Sequence, residues 1–135
     1  MYLIIVGAGT VSKQLISILQ EQGHQVAVIE KQAEQARSVM QQFDVRVFHG
    51  DIAQGNILEE ANIKNADAII ATTKDDSVNL MAMILGKHHQ VKNLITLLQE
   101  KKHQEMFEKL GVRVLSDPEK IIAQKLFDLV DSDSK

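Results

Sequence analysis

Residues 2–19 read Tyr-Leu-Ile-Ile-Val-Gly-Ala-Gly-Thr-Val-Ser-Lys-Gln-Leu-Ile-Ser-Ile-Leu, and the change of period inside this stretch decides the fold. Tyr2 to Val6 is an unbroken apolar run, as a strand covered on both faces requires. It stops abruptly at Gly7-Ala8-Gly9. From Thr10 the apolar residues Val11, Leu15, Ile18 and Leu19 recur at helical spacing, which predicts a helix to about Gln22 with these residues on its core face and Gly23 as its stop. Strand, tight glycine turn and helix together aim backbone N–H groups and a helix N-terminus at a phosphate.

The rest of the chain repeats this rhythm. Short apolar strands are expected at 26–29, 45–48, 68–71, 94–98 and 112–115. Between them lie helical patterns: 32–42 with Ala33, Ala36, Val39, Met40 and Phe43 inward, a short helix through about Asn62, and one from Asp75-Asp76-Ser77 to Gly86. A further helix over 101–110 has Met106, Phe107 and Leu110 as its core face. The last begins at Asp117-Pro118, a cap residue with proline at the first helical position. Six strands alternating with helices demand a parallel sheet with right-handed crossovers. The fold expected is α/β: a Rossmann-like, doubly wound six-stranded sheet of order 3-2-1-4-5-6 with a C-terminal helix. Pro118 is the only proline and no Gly/Ser-rich linker divides the chain, so residues 1–130 read as one domain and 131–135 as a solvated, disordered tail.

Composition bounds the function. The chain has 135 residues, 44% of them hydrophobic, and a net charge of −3 with Lys and Arg spread along it. A nucleic-acid binder would need a basic patch, so no nucleic-acid partner is expected. No apolar run reaches the roughly 18 residues of a membrane span, and the apolar start lacks a basic leader and is used at once as a strand. With no cysteine, thiolate chemistry and disulfides are excluded, in keeping with a cytoplasmic domain.

The glycine turn departs from G-x-G-x-x-G at its third position, where Ser12 stands. The first two glycines make the tight turn and the close approach to pyrophosphate; the third serves helix packing, which a serine can also meet. Glu30 lies at the end of the second strand, near the offset at which this fingerprint places an acid for the ribose hydroxyls. Its charge repels a 2′-phosphate, so NADP is disfavoured. Lys31 follows and is read as a solvated lysine before a phosphate ligand. Gly50-Asp51 ends the third strand at the same carboxyl edge, where Asp51 and the Ile52 backbone can meet an adenine or Asp51 can cap the next helix. Thr72 and Thr73 end the fourth strand across the switch point, as ligand contacts or as turn residues in equal measure. The five histidines lack ligand spacing, Asp75 and Asp76 read as caps, and no metal site or nucleophile set is expected.

The stretch from Gly50-Asp51 through Asn79 carries a resemblance more specific than the glycine turn. It shows Gly-Asp, a short helix ending Glu59-Glu60-Ala61, then Ala66-Asp67-Ala68, a strand, Thr72, Asp76 and Asn79-Leu80. The chain resembles the RCK, or KTN (TrkA-N-type), nucleotide-binding domains that regulate potassium channels and Trk/Ktr potassium transporters. Leu110-Gly111-Val112 and Pro118 fit the same pattern. The resemblance implies a site at Gly7, Ala8, Gly9, Thr10, Val11, Glu30, Asp51, Ile52, Thr72 and Thr73, binding NAD(H) or an adenine nucleotide such as ATP, ADP or AMP. It also implies ligand-dependent rearrangement of a dimer or ring that gates a membrane K+ channel or transporter from the inner face.

Two departures qualify it. Many such domains place an arginine after the fifth strand, whereas Ile95-Thr96-Leu97-Leu98-Gln99 has none, which weakens the case for a triphosphate. The usual C-terminal ligand-binding domain is expected to have been either removed or never present, and the pore to be a separate chain or a removed part. On the last helix Ile122, Ala123, Leu126, Leu129 and Val130 are expected to cover the sheet, leaving Ile121 and Phe127 for a neighbouring copy. Three functions remain open from sequence: a regulatory, non-enzymatic nucleotide sensor of K+ transport; the cofactor-binding domain of an NAD-dependent oxidoreductase; and an oligomerisation domain with an idle site. The first is expected, because a dehydrogenase needs a substrate domain and a proton-transfer group that the six strands leave no room for.

Overall fold

A computed structural model describes residues 1–133. Six strands, β1 (Tyr2–Val6), β2 (Gln25–Glu30), β3 (Arg46–His49), β4 (Ala68–Ala71), β5 (Asn93–Leu98) and β6 (Arg113–Ser116), form one sheet of order β3-β2-β1-β4-β5-β6. Every neighbouring pair is parallel, with Ile4 opposite both Ala27 and Ile69 at the centre. The helices are α1 (Thr10–Glu21), α2 (Ala33–Gln42), α3 (Ile57–Glu60), α4 (Asp76–His88), α5 (Gln104–Lys109) and α6 (Pro118–Asp133). The sheet is the Rossmann-like arrangement that the alternation predicts. Because α6 runs through Asp133, the first three residues of the expected tail continue the helix, and Ser134 and Lys135 lie outside the described residues.

Successive strand residues point to opposite faces, so the continuous apolar strands feed two cores. Ile5, Val26 and Val28 join Ile16 of α1 and Val39 of α2 on one face. Ile4, Val6, Ile29 and Ile69 join Leu58, Met83 and Phe107 on the other. In α4, a Cβ on Gly86 would stand 2.7 Å from Leu94 and 2.9 Å from Ile69. Glycine is thus required for close approach of helix to sheet, and α4 runs past it to His88 rather than ending there as expected.

The expected faces of four helices are corrected. The buried positions of α1 are Ser12 and Ile16, with Leu15 and Leu19 half-buried beside them, whereas Val11 and Ile18 are each 52% exposed. The helix is therefore rotated so that the small hydroxyl of Ser12, not a valine, lies against the glycine turn. Met40 and Met106 likewise face outward, leaving Ala36, Val39 and Phe107 to the core. The largest correction concerns α6: every residue from Glu119 to Ser132 is exposed, including Ile122, Leu126, Phe127, Leu129 and Val130. Both faces of the sheet are already occupied by α1–α5, so the α6 stripe has no surface of this chain left to cover. No helix among the described residues is long and apolar enough to cross a membrane.

Candidate nucleotide-binding site

β1 and β4 are neighbours: from β1 the chain runs out to β2 and β3 on one side, then crosses back to β4 and continues to β5 and β6 on the other, so the strand order reverses between them. Open α/β sheets bind ligands at that point, outside the carboxyl ends of the strands. Here it holds Gly7 to Val11, Glu30, Gly50-Asp51 and Thr72-Thr73 at one edge.

Gly7 has φ +112°, and a Cβ there would stand 2.6 Å from Thr72 Oγ1. Both facts demand glycine. Its amide donates to Ile29 O at 2.9 Å. Ser12 Oγ lies 2.7 Å from Gly7 O and 2.6 Å from Thr72 Oγ1, and Thr72 Oγ1 lies 3.1 Å from Val6 O, so the two hydroxyl protons link Ser12 and Thr72 to each other and to one of the two carbonyls. The serine in place of the third glycine therefore cross-links turn, helix and β4. Thr72 spends its hydroxyl, and its amide to Val6 O, inside the fold. Thr73 does the same: its hydroxyl meets Asp75 O and Asn79 Oδ1, and buried Asn79 donates on to Thr73 O and Leu97 O.

Glu30 is 8% exposed, and its two oxygens accept from Ala8 N and Gln32 N, each at 2.8 Å. A carboxylate has about four acceptor sites, so each oxygen keeps one for a ribose hydroxyl. The bond also uses the Ala8 amide, and the Ala8 side chain is buried. Gly7 and Ala8 thus shape the turn, while Gly9, Thr10 and Val11 carry the leading amides of α1. Gly9 brings no capping side chain, the first turn holds no acid, and a Cβ on Gly9 would meet nothing within 4 Å. That is the geometry of an anion seat.

Asp51 accepts from Ala53 N at 2.8 Å, a local turn rather than a helix cap, since Asn56 stands at the start of α3. Lys31 Nζ is 3.8 Å from Asp51 Oδ2 and both are solvent-accessible, so this pair adds little stability. The Ile52 side chain is buried, leaving only its backbone for a ligand. Two open depressions lie on either side of the glycine turn along this edge. One of about 200 Å³ is lined by His49, Gly50, Asp51 and Glu60, the other of about 350 Å³ by Lys74, Asp76, Gln99 and His103.

Sequence reasoning missed the second cluster. Asp75 caps α4, accepting from Ser77 N and Val78 N, but Asp76 reaches away to Gln99 N, Glu100 N and His103 Nδ1. Burial alone would raise the Asp76 pKa; the two amides and the His103 contact outweigh it and hold the carboxyl below its ordinary value. Only tertiary proximity unites these residues, so no local spacing announces them. Among the described residues, no three His, Cys, Asp or Glu side chains converge to hold a metal ion.

A family model described as the TrkA-N domain matches residues 3–118. The chain belongs to the TrkA-N family. It is 36% identical over 134 residues to a Trk system potassium uptake protein TrkA homolog of Pyrococcus horikoshii, covering 94% of this chain and 58% of that protein. It is 33% identical over 130 residues to one from Methanothermobacter thermautotrophicus, covering 96% and 60%. The chain thus spans little more than half the length of these relatives. Among solved structures, the GsuK channel bound to NAD aligns with TM-score 0.75 at 22% identity, covering 84% of this chain and 21% of that one. The AMP-bound C-terminal domain of Shewanella denitrificans Kef aligns with TM-score 0.81 at 19% identity, covering all of this chain and 82% of that one. At such identities the likeness concerns the fold.

Proposed function

We propose that this TrkA-N domain is a regulatory nucleotide sensor of a potassium transport system. The observation that carries the reading is the uncapped N-terminus of α1 beside the Glu30 carboxylate. In this reading Gly9, Thr10 and Val11 bind phosphate through backbone amides, and Gly7 and Ala8 hold the turn. Glu30 takes the adenosine ribose, and Asp51 with the Ile52 backbone meets the adenine. Thr72 and Thr73 support the crevice floor, and Lys31 stands at the rim. The ligand is NAD(H) or ATP, ADP or AMP; a 2′-phosphate would meet the Glu30 charge, which disfavours NADP. The relatives are named as potassium uptake proteins rather than oxidoreductases, which favours regulation over catalysis.

The partners we infer are a second copy and a membrane K+ channel or transporter subunit, with this domain peripheral to the inner, cytoplasmic face. The apolar length of α6 supports the second copy: six large apolar residues there are 37–67% exposed, well beyond the scattered apolars of an ordinary surface. Light scattering should give a dimer or larger; a monomer at high concentration would reject that part. Titration calorimetry with NAD, NADH, NADP, ATP, ADP and AMP tests the site. At least one adenine ligand other than NADP should bind, and Glu30→Ala should weaken it by about 1.5–3 kcal/mol, the scale of bonds to a charged group. Silence from the whole panel at millimolar concentration would overturn the reading.

A further inference from the structure

The Asp76 carboxylate ties two segments that sequence keeps apart. Oδ1 accepts from Gln99 N at 2.8 Å, and Oδ2 accepts from Glu100 N at 3.0 Å and His103 Nδ1 at 3.1 Å. Two of these donors are amides that do not titrate, and the third is an imidazole. The other ring nitrogen, His103 Nε2, lies 3.7 Å from Glu100 Oε2. A neutral imidazole donating from Nδ1 presents a lone pair to that second carboxylate, whereas an imidazolium makes a charge-assisted bond to Asp76 and, at 3.7 Å, is attracted to Glu100 by charge alone. The same Glu100 oxygen also lies 3.2 Å from Lys102 Nζ, so it is shared between the two cations when the ring is charged.

The groups facing the ring from α4 are Asp76, with Lys74 and Asp75 on the same cavity wall. Its own segment supplies Glu100 and Lys102, and β6 contributes the neutral Ser116–Gln104 contact. What the contact holds is consequential. Gln99 and Glu100 wall the larger depression at the carboxyl edge, and the preceding Leu98 O accepts from Asp117 N at 2.9 Å, at the root of α6.

We propose that His103 is a proton-operated latch: as imidazolium it makes a charge-assisted bond to Asp76 that fixes the segment after β5 to α4, and as neutral imidazole it keeps only the weaker neutral bond there. Acid closes the latch and alkali loosens it. The latch stands on its own geometry; its control over the nucleotide edge and the α6 root rests on the function proposed above.

Amide hydrogen exchange on the full chain, without nucleotide and corrected for intrinsic rates, tests it between pH 5.5 and 8. Opening at Gln99 and Glu100 should be roughly two- to fivefold rarer at the acid end, the scale of a partly exposed ion pair. His103→Gln, which keeps a neutral donor, should abolish that dependence, with the β1–β2 ladder as the control for folding. Glu100→Gln, at a solvent-accessible position, should shrink it. Equal opening at both pH values in the natural chain, or an undiminished dependence in His103→Gln, would overturn the latch. The exchange readout needs no ligand, so a failed nucleotide titration refutes the sensor reading and leaves the latch standing.

Discussion

Helices α1 and α4 start at the same edge of the sheet, on either side of the β1–β4 crevice, and treat their first turns in opposite ways. The turn of α4 is satisfied from within: Asp75 accepts from Ser77 N and Val78 N, and Asp76 adds a second acid. The turn of α1 has glycine at its cap, no acid and open space beyond the glycine. A helix N-terminus carries about half a positive charge in its unpaired amides. At α4 that charge is neutralised by the chain itself, whereas at α1 it is left for a ligand. The difference supports the proposed anion seat at α1 more strongly than the glycines do, because a glycine turn alone also serves as a plain connection.

The comparison can be broken at several points. Gly7→Ala should have the largest effect, about 2–5 kcal/mol of lost stability, since the left-handed backbone and the 2.6 Å approach to Thr72 Oγ1 penalise it together. An unchanged urea midpoint would mean the turn relaxes freely. Gly9→Asp gives α1 the cap that α4 already has. Gly9 has φ −83° in extended backbone with room for a side chain, so the fold should gain a few tenths of a kcal/mol. Nucleotide affinity should fall at least about tenfold, because the new carboxylate occupies the anion seat. Retained affinity in calorimetry would place the phosphates elsewhere.

Asp75→Ala removes the α4 cap and should cost about 1 kcal/mol in denaturant unfolding with affinity unaltered; a matching loss of affinity would make α4 part of the seat. The smallest effect is the acid response of Asp76. Its folded pKa lies below the ordinary value, so its contribution is present above the unfolded value near 3.9 and disappears as pH falls through the lowered one. Urea midpoints from pH 5 down to 2.5 should therefore drop more steeply for the natural chain than for Asp76→Asn.

Much of this was legible in the sequence. Continuous apolar strands such as Leu3–Val6 and Ala68–Ala71 are suited to burial on both faces, and their alternation with helices points to a doubly wound parallel sheet, whose order is the expected 3-2-1-4-5-6. Glu30 was marked by its distance from the glycines. Helix faces were harder to read. The apolar spacing of α1 fits more than one rotation, and the hydroxyl contacts of Ser12 with Gly7 O and Thr72 Oγ1 bring a polar residue into the core. In α6 the stripe was read correctly as apolar and wrongly as facing the sheet, because periodicity reports that a face exists and not what covers it.

The sequence by itself determined the parallel doubly wound sheet, the glycine turn at its switch point and the acid beside it, because each follows from local period, turn chemistry or fixed spacing. Only the tertiary structure decided that Ala8 spends its amide on Glu30, that Thr72 and Thr73 turn inward, that Asp76 meets His103, and that α6 stands free. Those outcomes depend on which groups distant in sequence the fold brings within hydrogen-bonding distance, and on how much of the sheet the other helices cover.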